Sequence, residues 1–129
     1  MSSTNTNNTG IHSMNALMRV DAWQLAVEPL DMRCGMDSIL ARVVAVFGCA
    51  QPHVAYAFAN ARASRMKVLV HDGFGLWLCA RRLHQGSLVW PRGDAPIINL
   101  NAQQWSALTV GLPWHRLGSA GQADAIRIV

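Results

Sequence analysis

The chain has 129 residues, of which 51% are hydrophobic and 14% are charged, and its formal net charge is +4. An apolar fraction of this size supports a packed core and excludes a wholly disordered chain, and the length is typical of a single domain. No apolar run reaches the roughly 18 residues that span a bilayer, and the polar start MSSTNTNNTG lacks the basic and apolar regions of a secretory signal, so we expect a cytoplasmic protein.

The two ends of the chain are predicted to be loosely ordered. Residues 1–19 are rich in Ser, Thr and Asn, which predicts a disordered N-terminal tail, and residues 118–129 are predicted to form a loose C-terminal tail. A single core domain is expected between them, over residues 20–117.

The first element of this domain is predicted to be a strand. Trp23, Leu25 and Val27 recur with a period of two, which is typical of a half-buried strand. We predict this strand over residues 22–30, and Pro29 is expected to end it.

A helix is predicted after a polar turn at residues 31–35. Apolar residues recur at intervals of three and four, at Met36, Ile39, Leu40, Val43, Val46 and Phe47. Asp37 falls in the first turn, where a carboxylate favours the helix dipole, and Gly48 is placed to end the helix. The valines at 43, 44 and 46 leave a strand as the weaker alternative.

A β-meander is predicted next. Its strands are expected over residues 54–59, 65–71, 76–83 and 87–90. Asp72 and Gly73 indicate a hairpin turn between the second and third of these strands, and Pro91 is expected to end the fourth.

The domain is predicted to finish with a short strand and a helix. The strand is expected over residues 96–100, and Asn101 with Gln104 three positions later indicates a capping box at the helix start. Gly111 and Pro113 are expected to end the helix. The result is an α+β domain with a mostly antiparallel sheet and two helices, in the order β-α-β-β-β-β-β-α.

The positive charge is concentrated in the meander. The six cations of this segment, opposed only by Asp72, are Arg62, Arg65, Lys67, Arg81, Arg82 and Arg92. Arginine suits bidentate contact with phosphate, so nucleic-acid binding is favoured for these residues. A solvated basic face and an acidic protein partner are the alternatives.

The sequence contains few residues that could form a catalytic site or a metal site. The three cysteines, at Cys34, Cys49 and Cys79, form no C-x-x-C pair, and the five histidines show no metal-ligand spacing. A metal-dependent nuclease needs carboxylates that converge, and only Asp31, Asp37 and Asp72 offer a remote version of that arrangement. We therefore expect thiols in a reducing cytoplasm, no metal, no cofactor, no small-molecule substrate and no catalytic residue.

Two tryptophans lie within the basic meander. Trp77 and Trp90 beside arginines are compatible with a base-stacking platform. Tryptophan on a small sheet is more often part of the core, and the core interpretation is favoured here.

Three motifs in order resemble a known family. The upstream motif is DMRCGMD at residues 31–37. The main motif reads RMKVLVHDGFGLWL at residues 65–78 and continues as RRLHQGSLVWP at residues 81–91. A downstream pattern is matched by Leu100, Gln104, Trp105, Leu108, Gly111 and Trp114. Over residues 23–117 the sequence resembles the TnpB, or Orf2-like, accessory proteins of bacterial transposons of the insertion-sequence sixty-six class.

The resemblance implies a role in transposition beside a separate transposase. It implies DNA at the element ends, the transposase and other element-encoded accessory proteins as partners, and no membrane. The alternative to DNA binding is a module that docks on the transposase without DNA, through the helix carrying Trp105 and Leu108 or through an exposed sheet edge.

This copy departs from the family pattern at two places. Cys34 stands where the family usually has lysine, and residues 58–65 are less basic than the corresponding family segment. If those cations contact phosphate, we expect weaker DNA binding from this copy.

The adjacent residues Arg81 and Arg82 lie at the end of a predicted strand. Neighbouring strand residues point to opposite faces, and an unpaired buried guanidinium is too costly to expect. We predict that the strand frays by Arg81, so that both guanidinium groups reach solvent and are available to phosphate. Pairing of the inward arginine with a carboxylate such as Asp72 is the alternative.

Overall fold

A five-stranded sheet is the centre of the computed structural model, which describes residues 19–117. Its strands are β1 (Ala22–Ala26), β2 (Val54–Ala59), β3 (Arg65–His71), β4 (Leu76–Arg82) and β5 (Ile97–Leu100). They lie in the order β4-β3-β2-β1-β5, and every neighbouring pair is antiparallel except β1 and β2. The tails predicted over residues 1–19 and 118–129 lie outside the described residues, apart from Arg19.

The parallel pair is connected by the first helix, α1 (Met36–Phe47). Parallel neighbours need a long crossover, and the helical stripe of the sequence supplies it. Ile39 and Val43 are fully buried against the sheet, as the stripe predicts. Gly48 ends the helix with φ 94° and donates its backbone N–H to the Val44 carbonyl.

The second helix, α2 (Ala102–Thr109), covers the opposite face of the sheet and is followed by a 3₁₀ turn (Trp114–Leu117). Its predicted capping box is confirmed, because Asn101 Oδ1 accepts from Gln104 N at 2.8 Å and Gln104 Oε1 accepts from Asn101 N at 2.9 Å. Trp105 and Leu108 point into the core and are buried. Docking through this helix stays a prediction, and it would use exposed residues such as Gln103 and Ser106.

Alternate residues of each strand separate the two faces. On β3, Met66, Val68 and Val70 belong to the core beneath α2, which we call the α2 face. Leu69 belongs to the core beneath α1, which we call the α1 face, and Lys67 lies on that same side by alternation. Both faces of the central strands are covered, so β2 is buried at every position.

The α+β class, the mostly antiparallel sheet and the chain order of its elements are confirmed, but the strand predicted at 87–90 is wrong. This segment crosses the α2 face outside the sheet, with Leu88 and Trp90 buried. The Leu88 N–H donates to the Ala63 carbonyl, and Trp90 Nε1 donates to the Ala26 carbonyl at 2.9 Å. Its alternating pattern reflects burial of a single extended segment against the core, and Pro91 has no N–H to continue a ladder.

Candidate nucleic-acid interface

The fold gathers the start of β3 and the end of β4 at one end of the sheet, beside the carboxyl ends of β1 and β2. In the β3–β4 register Arg65 lies directly opposite Arg82. We call this end of the sheet the basic end, because most of the cations singled out from the sequence lie there.

Three of the six cations share the α1 face at the basic end. Arg65 and Arg82 form a cross-strand pair, and Lys67 follows Arg65 by two positions on the same side. Like charges directly opposite each other destabilise a sheet. Within residues 19–117 none of the three forms an ion pair, since the salt bridges there join Arg19 to Asp21, Arg33 to Asp31 and Arg42 to Glu28. The three cations thus concentrate positive charge that no ion pair neutralises within the described residues.

Lys67 also fixes the loop that precedes α1. Its Nζ donates to the Cys34 carbonyl at 2.8 Å, which uses one of its three N–H groups. The three cations line a depression of about 280 Å³ together with Met32, Met66, Ala80 and Arg81. The depression gives an anionic group a concave, positively charged place to lie.

The family-like segment 31–37 borders this depression but supplies little net charge. Arg33 donates to Asp31 through Nε and through a terminal nitrogen at 2.7 Å. These side-chain bonds, helped by the Arg33 backbone N–H and the charge of Lys67, lower the pKa of Asp31 to about 2. Asp31 therefore neutralises Arg33 at neutral pH, and the positive charge of the depression comes from the strands.

Arg62 projects from the turn between β2 and β3, next to the same end of the sheet. Asn60 holds this turn, because its Oδ1 accepts from the backbone N–H of Ser64 at 2.9 Å and of Arg65 at 3.0 Å. Ala63 adopts a left-handed conformation with φ 55°, which is uncommon for a residue other than glycine. The exposed Arg62 side chain is thus carried on an ordered turn.

Arg81 is placed differently from the prediction. β4 continues through Arg82, Arg81 is paired with Met66, and its side chain lies on the α2 face, so the predicted fraying is wrong. Its guanidinium donates to the carbonyl of Thr109, the last residue of α2. The sequence argument considered only a carboxylate or solvent, whereas a helix C-terminus offers carbonyls that attract a cation. Arg82 is exposed, as predicted.

Arg92 lies away from the α1 face. It is exposed in the loop after Trp90 and lines a separate cleft of about 520 Å³ on the other side of the β2–β3 turn. The structure therefore brings together Arg65, Lys67 and Arg82, with Arg62 in the adjoining turn. Arg81 also borders their depression, but its guanidinium donates to the Thr109 carbonyl, and Arg92 lies in the separate cleft.

The two tryptophans do not form a platform with the arginines. Trp90 is buried in the core. Trp77 is 40% exposed, and its Nε1 donates to Asp72 Oδ2 at 2.7 Å at the far end of β4 from Arg82. The core interpretation holds for Trp90, and Trp77 belongs to the hairpin turn.

That hairpin turn contains a feature that the sequence interpretation missed. Phe74, between Gly73 and Gly75, is fully exposed. The sequence signal is an aromatic residue flanked by two glycines, in a turn whose residues otherwise predict only a reversal of the chain. Asp72 lies in this turn, at the opposite end of β3 from the basic end, so it cannot converge with Asp31.

Metal and membrane sites find no support in the part of the chain that the structure describes. No group of three or more His, Cys, Asp or Glu side chains there is arranged to hold a metal ion. No helix within residues 19–117 has the length and apolarity to cross a membrane. Cys34, Cys49 and Cys79 remain thiols, and burial raises the pKa of Cys79.

The sequence model of the family described as IS66 Orf2 like protein matches residues 21–119, which include all three motifs. Uncharacterized protein y4hO of Sinorhizobium fredii is 33% identical over 96 residues, which cover 74% of this chain and 83% of that protein. Uncharacterized protein y4jC of the same organism is 27% identical over 95 residues, which cover 72% of this chain and 80% of that protein. No solved structure matches the chain.

Proposed function

Since the chain belongs to the IS66 Orf2-like family, whose members are accessory proteins of transposition, we propose that it is a non-catalytic DNA-binding protein of the bacterial cytoplasm. The contact surface consists of Arg62, Arg65, Lys67 and Arg82 at the basic end of the sheet. It binds the phosphate backbone of the DNA at the ends of the transposable element.

The observation that carries this proposal is the cross-strand pair of Arg65 and Arg82 with Lys67 beside it. Opposed like charges cost folding free energy, and no carboxylate within residues 19–117 forms an ion pair with Arg65 or Arg82. A phosphate bound between the Arg65 and Arg82 side chains would remove this repulsion. The two guanidinium groups can each donate two parallel hydrogen bonds to its oxygens.

Such a surface recognises charge more than sequence. It is small, and it presents cations without a helix or ribbon shaped to enter the major groove. Each phosphate neutralised contributes a slope of about −0.9 to the dependence of log K on log salt concentration, so four cations predict a slope of about −3 to −4. Discrimination of element ends would then come mainly from the partners of the complex.

The decisive experiment is fluorescence anisotropy with a labelled element-end duplex and a scrambled duplex of equal length, at several salt concentrations. The double variant Arg65→Gln/Arg82→Gln should bind at least about 10-fold more weakly. The slope of log K against log salt concentration should become shallower by about 2, because two phosphate contacts are lost. Arg92→Gln/Arg116→Gln is the matched control, because it removes two exposed arginines that lie outside the proposed contact surface. Unchanged affinity in the double variant, or an equal loss in the control, would contradict the assignment.

A second candidate function rests on the position of β4. This strand is the outer one of the described sheet on its side and presents Trp77, Ala80 and Arg82 as exposed residues. A strand of the transposase that added to this edge would dock the protein without DNA. Co-purification with the transposase that survives nuclease treatment, and that a proline at Ala80 abolishes, would favour this function over DNA binding.

A further inference from the structure

The turn between β3 and β4 holds an exposed aromatic ring on a rigid support. Asp72 Oδ1 accepts from the backbone N–H groups of Phe74 and Gly75, each at 2.8 Å, and Asp72 Oδ2 accepts from the Trp77 indole. His71 Nδ1 accepts from the Gly73 N–H at 2.9 Å. We call residues 71–77 the hairpin tip. A fixed turn loses little conformational entropy when its ring is buried by another molecule.

The same chain carries a cleft of suitable size and chemistry. The cleft lies past the carboxyl ends of β1 and β2, holds about 520 Å³, and is lined mainly by small or apolar residues. The small or apolar lining residues include Ala59, Ala61, Ala63, Trp90, Pro91 and Ala95. Because an apolar cavity of about 150 Å³ accepts benzene, this cleft has room for a phenyl ring and the turn backbone on either side of it.

The hairpin tip and the cleft lie at opposite ends of the sheet. They are separated along β3 by seven residues, or about 20 Å at roughly 3.3 Å per residue. A molecule therefore cannot fill its own cleft with its own Phe74. We propose that Phe74 of one copy inserts into the cleft of a second copy, in a head-to-tail contact that leaves a free tip and a free cleft for further copies.

The charges at the two surfaces favour this occupant over DNA. The pKa of Asp72 is lowered, chiefly by the Phe74 N–H and also by the Trp77 indole, so the hairpin tip carries a negative charge that repels phosphate. The cleft presents the exposed Arg92, which forms no ion pair within residues 19–117. Of the acidic residues in the cleft, Glu28 is paired with Arg42 at 3.2 Å, which leaves Arg92 and Asp94 as the charges of the cleft without an ion pair in the described residues.

The contact is small, and its strength is limited accordingly. A turn in a cleft buries less surface than the roughly 1,200 Å² at the lower limit of stable specific interfaces. Association is therefore weak for molecules in dilute solution and becomes extensive where many copies are held close together. This inference does not depend on DNA binding, and its test is made without DNA.

Sedimentation velocity of the nuclease-treated full chain over a wide concentration range measures the association. The wild type should shift to larger species as concentration rises. Phe74→Ser should weaken this association at least about 10-fold, as expected when a central aromatic anchor is lost. Leu112→Ser is the matched control, because Leu112 is another exposed apolar side chain outside both surfaces, and it should associate like the wild type.

Mixing two defective variants gives the sharpest result. Ala61→Trp fills the cleft and leaves the tip intact, whereas Phe74→Ser leaves the cleft intact. Each variant should stay monomeric alone. An equimolar mixture should form dimers and nothing larger, because the intact tip of Ala61→Trp can enter only the intact cleft of Phe74→Ser. Thermal unfolding checks that Ala61→Trp folds, and Ala95→Trp blocks the cleft from its other wall if it does not.

Three outcomes would overturn the proposal. They are a wild type that stays monomeric at every concentration, a Phe74→Ser variant that associates like the wild type, and a mixture that forms no dimers although both variants fold. A Phe74→Ser variant that loses DNA affinity with unchanged self-association would assign the tip to DNA instead.

Discussion

Replacing Arg81 and Arg82 one at a time should have opposite consequences, although the two residues are adjacent and chemically identical. Arg81 donates to the Thr109 carbonyl at the end of α2, and Thr109 is fully buried. Loss of a hydrogen bond that involves a charged group costs about 1.5–3 kcal/mol when its partner is left buried. Arg82 is exposed and faces Arg65, so its removal relieves repulsion.

The expected magnitudes follow from these contacts. Arg81→Met keeps most of the apolar stem and removes only the charged donor, and it should lower the free energy of unfolding by about 2 kcal/mol. For a domain of this size that corresponds to a decrease in Tm of about 10 °C. Arg82→Met should change the free energy of unfolding by less than about 0.5 kcal/mol, as is usual for surface substitutions.

Urea unfolding monitored by tryptophan fluorescence measures both variants, and anisotropy with duplex DNA at temperatures where both are folded measures binding. Arg81→Met should be destabilised and bind DNA like the wild type, while Arg82→Met should be stable and bind more weakly. Equal stability of the two variants would refute the role of Arg81 at the helix end. If Arg81→Met and Arg82→Met lost DNA affinity equally, Arg81 would belong to the contact surface as well.

Two further predictions concern local contacts. Because the folded-state pKa of Asp72 lies below its ordinary 3.8, its carboxylate stabilises the hairpin tip above that pH, and the contribution is lost as pH falls through the lower folded value. The NMR signal of the Trp77 indole N–H should therefore move in acid, and an identical titration in Asp72→Asn would contradict this. Asn101→Ala removes the capping box and should cost about 1 kcal/mol in urea unfolding; a loss below about 0.3 kcal/mol would show that α2 does not depend on its cap.

The elements predicted correctly from the sequence depend on residues close together in the chain. The Asn101–Gln104 capping box, the hairpin turn at Asp72 and Gly73 and the apolar stripe of α1 involve partners within a few positions of each other. Their physical requirements are therefore visible in a short window of sequence.

The features that sequence could not supply depend on contacts between distant residues. Arg81 and Thr109 are 28 positions apart, and Lys67 and Cys34 are 33 positions apart. Both contacts require the complete strand order, including the parallel β1–β2 pair that brings the two helices onto opposite faces. The basic segment was visible in the sequence, but its division between two faces was decided by strand register.

The proposed sites coincide with the places where the chain departs from ordinary folding rules. Arg65 opposite Arg82 places like charges across a strand pair, and Phe74 exposes a whole aromatic ring to water. Local exceptions of this kind are expected mainly where a ligand compensates them. The two exceptions lie at opposite ends of one hairpin, whose first strand, β3, is buried at its centre. β3 and β4 are paired along their length, so the basic end and the hairpin tip are held apart. DNA bound at the basic end would therefore leave the tip free for a neighbouring copy, and one molecule could bind both partners at once.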